Sequence, residues 1–324
     1  MRSLLCCETE YEEHFRRILW RFAEDGISYA EIRLAMNYGF AIQSGDGNNE
    51  NNHAGMVQLL ADILNGEHPK IQASGLAFYG VKFIYACLRS IPKERMKWCM
   101  NTCIELKQKF PDLICGFDLQ GQDIPELLHM RARIDELGLD LPFIFHAGET
   151  QDHGSDTDTN LFDGILLGTK HIGHGFSIIK HPLLMKLCNE WNIAVETCPI
   201  SNEVLGLCPT TKAHHPILLS NCVPCSDPGS WGASVLSHDF YQALMRSNNL
   251  SIPGLGVIAE WSIEHSCMNF DMQEKVYKDF EEKWFVFCQW IIDAYGQQWP
   301  AEPEIHVDIK VPADIDKCQG NLYF

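Results

Sequence analysis

The sequence predicts an α/β protein and, within that class, a TIM-type (β/α)8 barrel that lacks its first strand. Seven short runs of continuous apolar residues alternate with amphipathic helical stretches, which is typical of parallel strands buried on both faces. No G-x-G-x-x-G motif follows any run, and this weakens the alternative of a doubly wound dinucleotide fold. Polar residues recur at the C-terminal ends of the runs, where the active sites of barrels are built.

The predicted strands follow one another along most of the chain. They cover residues 28–35, 79–88, 113–121, 141–149, 170–176, 193–202 and 222–228. The stretches between them, such as KERMKWCMNTCIELKQKF, carry apolar residues at three- and four-residue spacing, as amphipathic helices do. Ahead of the first strand, EEHFRRILWRFAED predicts one more helix, and no strand precedes that helix. Only seven of the eight strands of a closed barrel are therefore visible.

The domain organisation follows from the same pattern. The 324 residues lie within the range of one α/β barrel. We expect an N-terminally incomplete barrel over residues 1–297 and a polar, Pro-rich tail over 298–324. The segment 44–53, SGDGNNENNH, has too little apolar content to pack and predicts a surface loop. Amphipathic helices after the seventh strand are expected to complete the outer ring of the barrel.

Composition excludes some classes of partner. The formal net charge of −18 argues against a nucleic-acid partner, because binding to phosphates needs a basic face. No apolar stretch reaches the roughly 18 residues that span a bilayer, so we expect no membrane partner. The first residues, MRSLLCCETEYEEHF, lack the features of a signal peptide. Most of the 14 cysteines are expected to be small buried hydrophobes.

The polar residues at the strand ends define a candidate site. They are Asp118, Gly121, His146, Glu149, His174, Asn202, Ser226 and Asp227. In a barrel the C-terminal ends of the strands converge on one mouth. We therefore expect these side chains to gather around one cavity.

Four motifs give the site a family resemblance. HAGET, HIGHGF, ETCPISN and CSDPGSWGA occur in that order on successive strand ends. Together they resemble the adenosine deaminase family, most closely the secreted adenosine deaminase-related growth factors, over residues 10–295. The resemblance implies hydrolysis of the 6-amino group of a purine nucleoside such as adenosine or deoxyadenosine, giving inosine or its deoxy form and ammonia. It further implies secretion and, in the full-length family, a possible homodimer.

The resemblance assigns a role to five residues. His146 would be a ligand of a Zn²⁺ ion, which lowers the pKa of its bound water. Glu149 would protonate the purine nitrogen next to the attacked carbon, and His174 would orient the hydroxide. Gly121 would offer its backbone N–H to the purine, and Asp227 would hydrogen-bond another ring nitrogen.

The sequence departs from the family pattern at the metal site. The family takes two zinc ligands from an H-x-H after its first strand, and no H-x-H occurs among the 14 histidines. Ser226 stands where the family has a ligand aspartate, and a hydroxyl is a poor zinc ligand beside a carboxylate. Two interpretations follow: a fragment of an active deaminase, or a catalytically inactive nucleoside- or receptor-binding relative.

The pair Cys222 and Cys225 indicates a second class of zinc deaminase as an alternative. Cytidine-type deaminases need H-x-E followed by P-C-x-x-C. Here two residues separate His146 from Glu149, and Asn221 precedes the cysteines. The sequence therefore excludes this class.

Overall fold

The computed structural model describes residues 7–36, 42–43, 50–51, 53–87, 91–119, 124–208, 222–225, 236–247 and 250–296. The strands are β1 (Tyr29–Ala35), β2 (Ile42–Gln43), β3 (Glu50–Asn51), β4 (Gly80–Cys87), β5 (Ile114–Leu119), β6 (Ile144–Ala147), β7 (His171–His174), β8 (Ala194–Thr197) and β9 (Cys222–Pro224). The helices are α1 (Glu8–Glu24), α2 (His53–Ala73), α3 (Lys93–Lys109), α4 (Ile124–Glu136), α5 (Asp156–Leu166), α6 (Pro182–Glu190), α7 (Pro199–Val204), α8 (Leu236–Arg246), α9 (Ile252–Glu264) and α10 (Phe270–Tyr295), with a 3-10 helix at Phe176–Lys180.

Seven parallel strands form the inner layer of the fold. One sheet has the order β1-β4-β5 and the other the order β6-β7-β8-β9. A single parallel bridge between Phe117 and Phe143 joins β5 to the segment before β6. Each predicted strand has its counterpart, so the α/β barrel architecture is confirmed. In the described residues only Cys7 precedes α1, so the lack of a first strand stays a prediction.

Two predicted segments differ in detail from the structure. The strand predicted over 193–202 ends at Thr197, and α7 begins at Pro199. Proline lacks an N–H and has a fixed φ angle, so it suits the first turn of a helix but cannot donate a hydrogen bond between β-strands. Within the predicted loop 44–53, Glu50–Asn51 pairs with Ile42–Gln43 as a short antiparallel hairpin, and α2 begins at His53. Residues 44–49 and 52 lie outside the described residues.

The main core lies between the outer face of the strands and the helices. Helix α1 buries Phe15, Leu19 and Ala23 at four-residue spacing, which is one face of an amphipathic helix. Phe83 and Tyr85, two residues apart on β4, point to the same side and are fully buried against this layer. Alternate residues of the strands, such as Ile84, point into the barrel, because side chains of a strand alternate between its faces.

The turn after α9 closes the N-terminal end of the barrel. Lys82 Nζ donates to the carbonyl of Cys267 at 2.7 Å, and Lys170 Nζ donates to the carbonyl of Ser266 at 2.7 Å. His171 Nε2 lies 2.6 Å from the carbonyl oxygen of His265. Strand β4 and the start of β7 thus hold one short turn through its backbone, and the candidate site lies at the opposite end of these strands.

The chain divides into two compact units, residues 1–278 and 279–324. The described part of the second unit is the end of α10, in which aromatic rings contact one another, as do those of Phe280 and Trp284 at a centroid distance of 5.9 Å. The predicted boundary between 297 and 298 lies outside the described residues and stays a prediction. None of the helices described is both long and apolar enough to cross a membrane.

Candidate active site

Three of the five assigned residues meet at the C-terminal ends of β6 and β7. The ring centroids of His146 and His174 are 5.4 Å apart, and Glu149 Oε1 lies 3.7 Å from His174 Nε2. Strand register explains this proximity, since His146 pairs with Gly173, and Ala147 pairs with His174. The other two assigned residues, Gly121 and Asp227, lie outside the described residues.

The ring of His146 is fixed by the carboxylate of Asp118 on the neighbouring strand β5. Asp118 Oδ2 lies 2.5 Å from His146 Nδ1, and Oδ1 accepts a hydrogen bond from the backbone N–H of His146 at 3.0 Å. Arg33 Nε also donates to Oδ2, at 2.9 Å. Burial of Asp118 opposes its ionisation, but the charges and hydrogen bonds of His146 and Arg33 outweigh that effect, and the pKa of Asp118 is lowered. The histidine is therefore held by an ionised, buried carboxylate.

His174 has an unusual backbone conformation that aims its ring at Glu149. Its φ angle is 61°, a region that residues other than glycine adopt rarely and often at functional sites. Its Nδ1 lies 2.9 Å from Oδ1 of Asn202, which is fully buried on α7. Because an amide oxygen only accepts, Nδ1 carries the proton, and Nε2 is the nitrogen on the side of Glu149.

A glycine turn positions Glu149 directly after β6. Gly148 has a φ angle of +66°, and a Cβ atom at this position would lie 2.8 Å from both the Leu161 side chain and Ser177 Oγ. The backbone N–H of Gly148 donates to Asn160 Oδ1 at 2.9 Å. The Glu149 side chain is 25% exposed, so it is sheltered but reachable from the barrel mouth.

A second glycine lets the side chains of His146 and Arg33 approach β7. A Cβ atom on Gly173 would lie 3.3 Å from His146 and 3.4 Å from the Arg33 guanidinium, tighter than ordinary contacts. Glycine at this position therefore makes room for the side chains that support the site.

An ion-pair network underlies the histidines. Arg33 Nη2 lies 2.6 Å from Glu196 Oε2, and Glu196 Oε1 lies 3.1 Å from His171 Nδ1. Burial of Glu196 opposes its ionisation, but the charge of Arg33 outweighs burial and lowers the pKa of Glu196. Sequence reasoning gave no role to Arg33 or Glu196. The available signal was a charged residue inside an otherwise apolar strand, since a buried charge needs a partner.

The described residues supply only part of a zinc site. His146 has the setting of a metal ligand, because metal-binding histidines almost always have one ring nitrogen held by a carboxylate or carbonyl, as Asp118 holds Nδ1 here. A catalytic zinc site needs three protein ligands. Among the described residues, the one converging group of three metal-binding side chains is Glu31, Cys115 and Cys267, away from this mouth. The described residues at the mouth therefore do not form a zinc cage by themselves.

Comparison with known proteins identifies the family. The family model described as adenosine deaminase matches residues 4–283. The chain belongs to the adenosine deaminase family. It is 33% identical to an adenosine deaminase of Phlebotomus duboscqi, over 89% of this chain and 56% of that protein. It is 30% identical to human adenosine deaminase 2, over 86% of this chain and 55% of that protein.

A solved structure supports the fold of this family member. A zinc-bound amidohydrolase from Burkholderia ambifaria superposes with a TM-score of 0.66 at 14% identity, over 87% of this chain and 76% of the other. The match confirms the barrel architecture. The chain spans just over half the length of the curated relatives it matches.

Proposed function

We propose that this adenosine deaminase family member hydrolyses the 6-amino group of adenosine or deoxyadenosine. The observation that carries the proposal is the meeting of His146, Glu149 and His174 at the C-terminal mouth of the barrel. These are the residues whose motifs match the family. A bound zinc ion, such as the amidohydrolase of similar fold holds, would supply a water of lowered pKa, with His146 as one ligand.

Glu149 and His174 divide the proton transfers between them in this proposal. Glu149 offers a carboxyl group at a partly sheltered position, as a proton donor to a purine ring nitrogen requires. His174, with its Nδ1 proton directed to Asn202, presents Nε2 to the attacking oxygen. The 3.7 Å between Glu149 and His174 allows the two groups to act on one ring from neighbouring positions.

An activity assay tests this proposal directly. The purified chain, supplied with Zn²⁺, is mixed with adenosine, and the release of ammonia and inosine is followed. We expect Glu149→Gln to lower kcat by about 10²- to 10⁴-fold, because loss of a positioned proton donor has that effect. Glu190→Gln, which changes an exposed carboxylate on α6, is the matched control and should leave kcat unchanged. Equal rates for the two variants would contradict the role of Glu149.

A second candidate function is nucleoside binding without catalysis. It is favoured by Ser226, which stands at the position where the family has a ligand aspartate. Calorimetry with adenosine distinguishes the two candidates. Binding without ammonia release at any zinc concentration would favour the inactive relative. Failure to bind any purine nucleoside would contradict both candidate functions.

The proposal also covers the localisation, the oligomeric state and the domain organisation of the protein. Resemblance to the adenosine deaminase-related growth factors supports secretion and a homodimer. The proposed domain organisation is a barrel over 1–297 and a tail over 298–324. Light scattering on the purified protein tests the dimer, and limited proteolysis at residues near 297 tests the boundary.

A further inference from the structure

Two thiols and a carboxylate converge at the end of the barrel opposite to His146. Glu31 lies on β1, Cys115 lies on β5, and Cys267 lies in the turn after α9. One ligand atom from each lies within 4.8 Å of the other two. Strand β4 separates β1 from β5 in the sheet, so the cluster forms across the interior of the barrel.

The cluster is held in place by backbone hydrogen bonds. The N–H of Cys267 donates to Glu31 Oε1 at 2.5 Å, and the carbonyl of Cys267 accepts from Lys82 Nζ at 2.7 Å. Cys115 Sγ lies 3.5 Å from the carbonyl oxygen of Phe83. Ile84 and Ile144 pack against the thiols. Both cysteines therefore have fixed positions, and the binding of a metal ion does not have to order them.

The charges around the cluster suit a divalent cation. Lys82 and Lys170 face the thiols, with Lys170 Nζ at 3.6 Å from Cys267 Sγ. A Zn²⁺ ion bound by two thiolates and one carboxylate forms a centre with a net negative charge, and the two ammonium groups offset that charge inside the barrel.

A cavity provides a path from solvent to this end of the barrel. It has a volume of about 200 Å³, and Tyr29, Lys82 and Met268 are among its lining residues. Tyr29 lies two residues before Glu31 on β1, so the two side chains are on the same face of that strand. The cavity therefore adjoins the strand that carries the carboxylate ligand.

We propose that Glu31, Cys115 and Cys267 bind a thiophilic divalent cation such as Zn²⁺, at a site separate from the catalytic mouth. Thiolate sulfur and carboxylate oxygen are both common zinc ligands, and thiolates select Zn²⁺ over Mg²⁺ or Ca²⁺. Three protein ligands leave a fourth tetrahedral position for water. Because Cys267 belongs to the turn after α9 and the other ligands belong to strands, the ion would fasten that turn to the base of the barrel.

Cadmium titration of the reduced, metal-free chain tests the site. Cd²⁺ bound by thiolates gives an ultraviolet charge-transfer band, which oxygen and nitrogen ligands do not give. We expect one equivalent of Cd²⁺ to produce this band in the wild-type chain and in His146→Ala, since His146 lies at the other end. Cys267→Ser should weaken binding by more than about 100-fold, beyond the effect of groups that only support ligands. Cys288→Ser, on α10, is the matched control and should titrate as wild type.

Glu31→Gln keeps an acceptor for the N–H of Cys267 but removes the charge, and it should weaken binding at least about tenfold. This variant decides the question if circular dichroism shows that Cys267→Ser does not fold. The proposal is overturned if the reduced wild-type chain gives no thiolate band. It is equally overturned if the band survives in both Cys267→Ser and Glu31→Gln. A Cys115–Cys267 disulfide that reductant cannot open would also overturn it. These outcomes do not depend on deaminase activity, so they leave the proposed function to its own assay.

Discussion

Asp118 and His146 are in direct polar contact at the barrel mouth, with Asp118 Oδ2 2.5 Å from His146 Nδ1. Asp118 is 1% exposed and also binds Arg33. The orientation of the candidate metal ligand therefore depends on a buried ion pair formed with β1, and His146 is coupled to the stability of the barrel interior.

The first prediction concerns Asp118. Asp118→Asn preserves the shape of the side chain but removes the negative charge that holds the His146 ring. We expect zinc affinity, measured by competition with a chelator, and deaminase kcat/KM each to fall about 10- to 100-fold, as is usual when the carboxylate partner of a metal-binding histidine is lost. Asp135→Asn, an exposed aspartate on α4, is the control. Unchanged zinc affinity in Asp118→Asn would show that the contact does not orient a ligand.

The second prediction concerns Arg33. Arg33→Met leaves the carboxylates of Asp118 and Glu196 buried without their cation, and loss of one partner of a buried pair typically costs about 3–5 kcal/mol. We expect the free energy of unfolding in urea to fall by about that amount. Arg17→Met removes an arginine that pairs with Glu13 and whose side chain is 76% exposed, and it should cost less than about 0.5 kcal/mol. Similar losses in the two variants would contradict the buried network.

The third prediction concerns Asn202. Asn202→Ala removes the acceptor that fixes the proton of His174 on Nδ1. We expect the ¹⁵N shifts of the His174 ring to report a smaller share of the Nδ1-protonated tautomer, because the acceptor that favours this tautomer is lost. Deaminase kcat should fall with little change in KM. Asn189→Ala, on the exposed face of α6, should alter neither quantity, and an unchanged His174 spectrum in Asn202→Ala would refute the role of the amide.

The fourth prediction concerns stability in acid. Burial of Asp158 opposes ionisation, but hydrogen bonds from the Gly154 N–H and from His181 outweigh it and lower the pKa of Asp158 to about 2. Since the folded pKa lies below the usual value of 3.8, ionised Asp158 stabilises the fold above about pH 4, and this contribution is lost as the pH falls toward 2. Asp158→Asn should be less stable at pH 7.

Thermal unfolding measured between pH 7 and pH 2 checks this prediction. The stability difference between wild type and Asp158→Asn should shrink as the pH falls through that window. Asp135→Asn should run parallel to wild type throughout. A constant difference between wild type and Asp158→Asn at every pH would mean that the contribution of Asp158 is not one of charge.

The positions of the strands could be predicted from the sequence, because a continuous apolar run is visible without knowledge of the tertiary structure. Strand β5, for example, is buried at every position, and its composition shows this directly. The end of β8 was misplaced because Pro199 fits a helix start as well as a loop, and only the tertiary setting decides. Residues 121 and 227 lie outside the described residues, so their roles stay predictions.

The ion pairs and hydrogen bonds between strands could not be predicted from the sequence, because the residues that form them are distant along the chain. Arg33 and Asp118 are 85 residues apart, and Glu31 and Cys267 are 236 residues apart. No local period or motif links such pairs. Which partner a buried charge finds depends on strand order and register, and these became visible only when the strands were assembled.

The outermost strands have a consequence for self-association. In the residues that the structure describes, β1 and β9 each pair on one side only, and such an edge can recruit a strand from another molecule. Inward-pointing charges are one device that discourages this recruitment, and β1 carries two, Glu31 and Arg33. Neutral, apolar replacements at both positions would therefore be expected to promote aggregation at protein concentrations where the wild-type chain remains dispersed.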